Sequence, residues 1–208
     1  MATSCARFHV NGPWAPLGAA LAAFHDRGED VAVTVRNDFA PPEEIYASVF
    51  FRREDAFEEW EAIALGRCGR RVLDIGAGVG AHALVLQERG HKVTALDPIP
   101  EAIRIMRERG VDDAREGTLL EFPSPKVYNT VILLMNGSMI AETLTGLDRL
   151  LAAAATVLEP QGGRSSSTPL TCVTPRRART RTTVATSVSY TTSFQSENTW
   201  AMSFHSCS

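Results

Sequence analysis

The chain is poor in the residues that hold metals or disulfides. Its 208 residues include four cysteines, Cys5, Cys68, Cys172 and Cys207, with no CxxC pair and no cysteine–histidine cluster. Neither a zinc site nor a disulfide framework is indicated, and a reducing cytoplasm is the expected location. No apolar run approaches the roughly 18–20 residues that span a bilayer, so no membrane partner is expected. The opening MATSCARFHVNGPW lacks a charged segment followed by an apolar one, which argues against a secretory signal. Excess positive charge is missing too. A net charge of −3 and a pI of about 6.0 argue against a nucleic-acid partner. What is present, 44% hydrophobic and 22% charged residues, is ordinary globular composition. One domain with a small extension fits the length.

These averages conceal a seam. Residues 1–163 carry 16 Lys/Arg against 23 Asp/Glu, whereas residues 164–208 carry 5 Arg against 1 Glu. Ser and Thr number 12 before the seam and 20 after it. Ile, Leu and Val number only four in the tail, Leu170, Val173, Val184 and Val188, too few to offset its ordering entropy. Residues 164–208 therefore read as a low-complexity, disordered Ser/Thr/Arg tail.

Ahead of the seam the pattern changes once more. Residues 14–27 place Leu17, Leu21 and Phe24 on one helical face. Residues 31–36 and 45–52 read as two strands of a hairpin with a long connection. Residues 54–66 put Phe57, Trp60, Ile63 and Ala64 on one side of a second helix. Residues 1–66 are thus expected to form a cap. From residue 67 strands alternate with helices: RVLDIG, AHALVLQERG, KVTALD, PEAIRIMRERG, a weak strand near Asp113–Arg115, YNTVILLM, and LTGLDRLLAAAATVLEP. That alternation predicts an α/β fold over residues 67–163, a doubly wound and mainly parallel sheet with helices on both faces.

One motif carries chemistry. In VLDIGAGVGAH, Gly76, Gly78 and Gly80 follow a strand and open a helix. Without Cβ atoms the backbone can turn sharply and approach a ligand, and the helix N-terminus offers free N–H groups. Asp97 ends the next strand, where a carboxylate can accept the hydroxyls of a ribose or, more simply, cap the helix that follows Pro98. Glycine loop and acidic strand end together indicate a nucleoside cofactor. Gly76–Ala81 also fits the G-x-G-x-x-A form of the dinucleotide fingerprint. Asp74 tips the balance: it lies inside the first strand, two residues before Gly76, where a carboxylate is costly unless a charged partner compensates it. A ligand bearing an ammonium and a sulfonium supplies that compensation.

VLDIGAGVG, VTALDP, YNTVILLMNG and LEPQGG, in this order and spacing, resemble the class I S-adenosylmethionine-dependent methyltransferases over about residues 70–163. The resemblance implies S-adenosylmethionine as cofactor and a methyl acceptor, most simply a small molecule. It implies that Asp74, Gly76, Gly78 and Gly80 hold the methionine part, with Ala77 beside the cofactor between them; His82, one turn into the helix, could meet the cofactor or the acceptor. Asp97 and Pro98 would lie at the ribose, and Met135, Asn136 and Gly137 beside the methyl group and acceptor. His82 reads equally as a packing residue of the first helical turn. Tyr46 and Arg52 on the hairpin could reach the mouth of the site, and no side chain stands out as a general base. Thr118, where the family often has Asp, leaves the adenine without an assigned partner, and Tyr128–Asn129 replaces the usual Phe-Asp. Two other readings stand beside this one: an NAD(P)-dependent oxidoreductase, and an inactive, truncated cofactor-binding domain.

The tail departs from the resemblance. An apolar strand should follow LEPQGG, and RSSSTPLTCVTPRRART contains none by pattern, so the last strands of the usual sheet are expected to be missing. A one-nucleotide slip converts codons for Gly-Gln-Ile-Leu-Leu-Asp-Ser into Gly-Arg-Ser-Ser-Ser-Thr-Pro, the sequence at 163–169. Two accounts of the seam therefore stand: a change of reading frame near 161–163, which is the expected one, and a natural basic Ser/Thr tail. An exposed sheet edge at YNTVILLM and low stability are the expected results.

Overall fold

The structure, a computed structural model, describes residues 14–35, 41–121, 127–135, 141, 143–159 and 170–172. A five-stranded parallel sheet is its centre. Strands β3 (Arg71–Ile75), β4 (Lys92–Asp97), β5 (Ala114–Glu116), β6 (Thr130–Leu133) and β7 (Leu170–Cys172) lie in the order β5-β4-β3-β6-β7. The chain starts in the middle, moves outward to β5, then returns to β6 on the other side. The topological switch point therefore lies between β3 and β6, where ligands of open α/β sheets bind at the carboxyl ends of the strands.

The strand sequences explain why both faces are covered. Asp74 pairs in register with Ala95 and with Ile132; these strands are almost wholly buried, and Thr94, Asp97 and Thr130 are, with Asp74, their buried polar residues. One face, with Val72, Val93, Ala95 and Ile132, packs under α2 (Glu59–Gly66), α3 (Ala81–Glu88) and α4 (Pro100–Glu108) through Leu65, Leu86, Ile103 and Met106. The opposite face, with Leu73, Ile75, Leu96, Val131 and Leu133, packs on Leu150, Ala154 and Val157 of α5 (Leu144–Val157). Thr143 caps α5, its hydroxyl accepting the N–H of Gly146 at 2.9 Å.

The N-terminal segment folds onto this frame. Helix α1 (Ala15–Arg27) has Pro16 in its first turn and ends at Gly28, whose φ of 71° provides the left-handed cap. It packs on α4, with Leu21 beside Ile99, Ala102 and Ile105, and Arg104 holds Asp26 and Glu108 at the rim. Strands β1 (Ala32–Val35) and β2 (Glu43–Tyr46) pair antiparallel, as the hairpin reading anticipates.

Three expectations need correction. The second hairpin strand stops at Tyr46, and Ala47–Phe51 wind into a 3-10 turn. Ser48 N–H leaves the ladder for Asp30 Oδ1 at 2.9 Å. A strand would send neighbouring side chains to opposite faces; the turn lets Phe50 and Phe51 pack together beside Leu21, Val79 and Ile99. The helix expected over 54–66 is split. Glu54–Ala56 form a 3-10 turn, and α2 begins only after Glu58, where Glu58 and Glu61 form a reciprocal capping box. Finally, a strand does follow residue 163: Leu170–Cys172 pair in parallel with Val131–Leu133 and cover the edge of β6 expected to be bare. Pairing uses backbone groups, so a short stretch without Gly or Pro suffices. Pro169 and Pro175 bound it in the sequence. The rest of the Ser/Thr/Arg tail lies outside the described residues.

Candidate cofactor site at the carboxyl ends of the strands

The turn after β3 is made by glycines in a conformation that side chains resist. Gly76, Gly78 and Gly80 have φ of 70°, 56° and 80°, the left-handed region where a Cβ costs roughly 1–2 kcal/mol. Gly76 N–H binds Leu96 O at 2.8 Å and ties the turn to β4. The last two glycines serve different ends. A Cβ on Gly80 would stand 2.7 Å from Val111 Cγ2 and 3.0 Å from Met106 Cγ, so Gly80 permits the close packing of α3 on α4. A Cβ on Gly78 would meet only Phe50 of the cap, at 3.4 Å.

Two carboxylates flank this turn. Asp97 is buried, yet both of its oxygens are engaged: Oδ2 accepts the N–H of Gly78 at 2.8 Å and Oδ1 that of Ile99 at 2.9 Å. It thus ties the glycine turn to Ile99, the residue from which α4 starts. Each oxygen keeps a second lone pair for a hydroxyl donor. Burial raises its carboxyl to about 7 against those two N–H bonds, with Asp74 pushing the same way. Asp74 is buried as deeply, and its Oδ2 is the one buried side-chain polar atom among the described residues without a hydrogen-bond partner. Burial raises it to about 6, against the field of His82, which lowers it.

His82 was expected at the cofactor or in packing; the structure gives it a specific partner. Its Nε2 lies 2.7 Å from Oε1 of Glu61, a residue fully buried on α2. Glu61 also accepts two bonds from Arg52, at 2.8 and 3.0 Å, and the N–H of Glu58 at 2.8 Å. Burial pushes the Glu61 carboxyl up, but His82, Arg52 and Glu58 outweigh it and bring it down to about 2. Arg52 therefore does not stand free on a hairpin; it closes an ion pair. Tyr46 ends β2 and is exposed. The sequence reading missed Glu61, though a signal was there. It falls between Phe57 and Ala64 on the apolar stripe of that helix, an acidic residue where a core residue belongs.

The other expected residues are placed as follows. Ala77 is buried within the turn and Pro98 follows Asp97. Met135 directly follows β6 and its neighbour Leu134, half-buried, with a φ of 47°. A side chain held in that region at a strand end is the kind of local strain found at ligand sites. Asn136 and Gly137 lie outside the described residues. Thr118 donates to Glu121 at 3.1 Å. Asn129 accepts the N–H of Arg71 and donates to Glu159, a lock that the amide makes possible at this position.

Residues 72–162 match the family described as Methyltransferase domain. A solved S-adenosylmethionine-dependent methyltransferase from Bacteroides fragilis, in complex with S-adenosyl-L-homocysteine, is 35% identical with a TM-score of 0.64, covering 71% of this chain and 61% of that one. Residues 72–162 are a class I S-adenosylmethionine-dependent methyltransferase domain. An uncharacterized methyltransferase of Staphylococcus carnosus is 30% identical over 89 residues, 43% of this chain and 41% of its own length. The cypemycin N-terminal methyltransferase of a Streptomyces species is 28% identical over 97 residues, 45% of this chain and 40% of its own. The matches span about two fifths of these curated relatives.

The residues present fit the cofactor that this methyltransferase domain implies. A buried carboxylate oxygen without a partner, two residues before the glycine turn, favours a cationic ligand and disfavours the pyrophosphate of a dinucleotide. Among the described residues, no helix is long and apolar enough to cross a membrane.

Proposed function

We propose that this chain is an S-adenosylmethionine-dependent methyltransferase acting on a small molecule. The observation that carries the reading is Asp74, a buried acid left unsatisfied beside a turn of left-handed glycines. S-adenosylmethionine, when bound, supplies a methyl group activated by a positively charged sulfur. The chain's own task is to bind, align and exclude water. Asp74 offers its free oxygen to the cationic end. Asp97 fixes the turn through Gly78 and uses its remaining lone pairs for ribose hydroxyls. Gly76 and Ala77 carry the backbone around the ligand, Pro98 sets the exit from β4, and Met135 borders the acceptor. A nicotinamide-dependent oxidoreductase fits less well, because Asp74 repels a pyrophosphate.

The cap supports a small acceptor. Phe50 and Phe51 pack with Val79 of the glycine turn and Ile99 after β4, so an acceptor enters past the cap. That path suits a small molecule better than a folded macromolecule. The net charge of −3 adds no attraction for nucleic acid. Methyl-labelled S-adenosylmethionine, incubated with pooled small amines, phenols and acids, tests the reading. Label is expected in a low-mass product. No transfer to any small-molecule pool, or transfer only to added protein or RNA, would overturn it.

A further inference from the structure

Among the described residues four arginines are half-buried: Arg52, Arg71, Arg104 and Arg109. Three of them close on carboxylates, Arg52 on Glu61, Arg71 on Glu159 and Arg104 on Asp26. Arg109, which directly follows α4, does not. Its Nη1 donates to the Val79 carbonyl at 2.6 Å, and its guanidinium lies 5.2 Å over the Phe51 ring. Neither contact neutralises it, and burial works against its charge. A guanidinium has five N–H donors and stays charged in proteins. Val79 engages one of them. Val79 and Phe51 together fix the plane of the group, so its other donors are held in place in advance of a ligand.

Arg109 lines a cavity of about 480 Å³, a volume typical of small-molecule sites. Ala81, Leu84 and Val85 of α3 give it an aliphatic surface, and Glu88 follows them at the same helical spacing. The cap closes it with residues 52–55. Two charges of that segment are already matched, Arg52 by Glu61 and Glu54 by Arg89. Arg53 is an exposed cation on the rim. Asp55 and Glu88 are exposed, and their carboxylates pair with no group among the described residues, Arg109 included. Opposite charges that border one cavity without touching are complementary to a ligand that carries both. We propose that this cavity binds a small amino acid with an aliphatic side chain, its carboxylate on Arg109, its ammonium toward Asp55 and Glu88, and its side chain on Leu84 and Val85. A simple anion would leave the two acids unmatched and be repelled by them. None of these side chains belongs to the glycine turn or its flanking carboxylates, so the proposal stands independently of the methyltransferase reading.

Calorimetric titration of the full chain at pH 7.5 with leucine, 4-methylpentanoate and 3-methylbutylamine tests it. The second probe is leucine without its amine and the third is leucine without its carboxyl. Leucine should saturate at millimolar concentration, and bind roughly tenfold more tightly than either relative. Arg109→Gln, whose amide can still donate to the Val79 carbonyl, should weaken leucine about tenfold. Asp55→Asn combined with Glu88→Gln should weaken leucine several fold and leave 4-methylpentanoate no weaker. Both of those positions are exposed, so the pair keeps the test readable should Arg109→Gln fail to fold. No saturable heat from leucine up to about 20 mM, equal binding of leucine and 4-methylpentanoate, or a leucine affinity untouched by the folded variants would overturn the proposal. The first of these would leave Arg109 a strut between Val79 and Phe51, and the second would make the cavity an anion site.

Discussion

Asp74 and Asp97 sit in the carboxyl-terminal halves of adjacent strands, equally hidden from water, and the chain treats them in opposite ways. Asp97 is satisfied: two backbone N–H groups point at it, one from the glycine turn and one from the start of α4. Asp74 keeps one oxygen facing no donor. The first carboxylate builds the site, and the second waits for what enters it. A buried acid with its hydrogen bonds made is a structural part that can also serve a ligand. A buried acid without them stores a cost that only a ligand or a proton relieves.

The pH dependence of stability probes this difference most strongly. Both aspartates have raised values in the folded chain, about 7 and about 6. Their ionisation opposes folding, so the unliganded chain should gain stability as pH falls from 8 toward 5, by about 4 kcal/mol. Glu61 acts the other way. Its carboxyl is held down to about 2, so the stability it contributes is present above its unfolded value of about 4.3 and is lost as pH falls from there toward 2. Urea unfolding at a series of pH values should therefore show a maximum near pH 5. A flat profile between 5 and 8 would mean the aspartates are not strained.

Asp97→Asn comes next. It weakens the charge-assisted bonds from Gly78 and Ile99 and turns one of the two oxygens proposed to take the ribose hydroxyls into a donor, so S-adenosylhomocysteine affinity should fall about 100-fold and stability should fall with it. Gly80→Ala should cost about 2–3 kcal/mol in unfolding free energy, from the left-handed backbone and the clash with Val111, with cofactor affinity barely changed in the fraction that stays folded. Asp74→Asn separates the two carboxylates: affinity drops about tenfold, while stability at pH 8 rises by about 1 kcal/mol. If Asp74→Asn destabilises as Asp97→Asn does, the contrast between them is wrong. Gly78→Ala is expected to have the smallest effect on stability, about 1 kcal/mol, because only Phe50 lies in the way.

Much of this was legible in the chain itself. The parallel sheet follows from apolar strands alternating with helices, and Asp74, Gly76–Gly80 and Asp97 from a pattern whose parts all lie within 26 residues. Local signals suffice there because the strand, turn and helix are consecutive. What stayed hidden depends on distant partners. That Ala47–Phe51 leave the hairpin is decided by α1 and α4, which take Phe50 and Phe51 on one side. That Glu61 is buried is decided by Arg52 and His82, from two other elements. That Leu170–Cys172 form a strand is decided by the free edge of β6, since three residues carry no period of their own. His82 looked like packing because its neighbour in sequence, the glycine turn, says nothing about its neighbour in space.

The most direct measurement is a pair of calorimetric titrations of the wild-type chain at pH 7.5, one with S-adenosylhomocysteine and one with NAD. Saturable binding of the first at micromolar concentration, and none of the second, is the expected result. Saturation by NAD with no heat from S-adenosylhomocysteine would contradict the account at its root, because Asp74 would then be tolerating the pyrophosphate it is argued to repel.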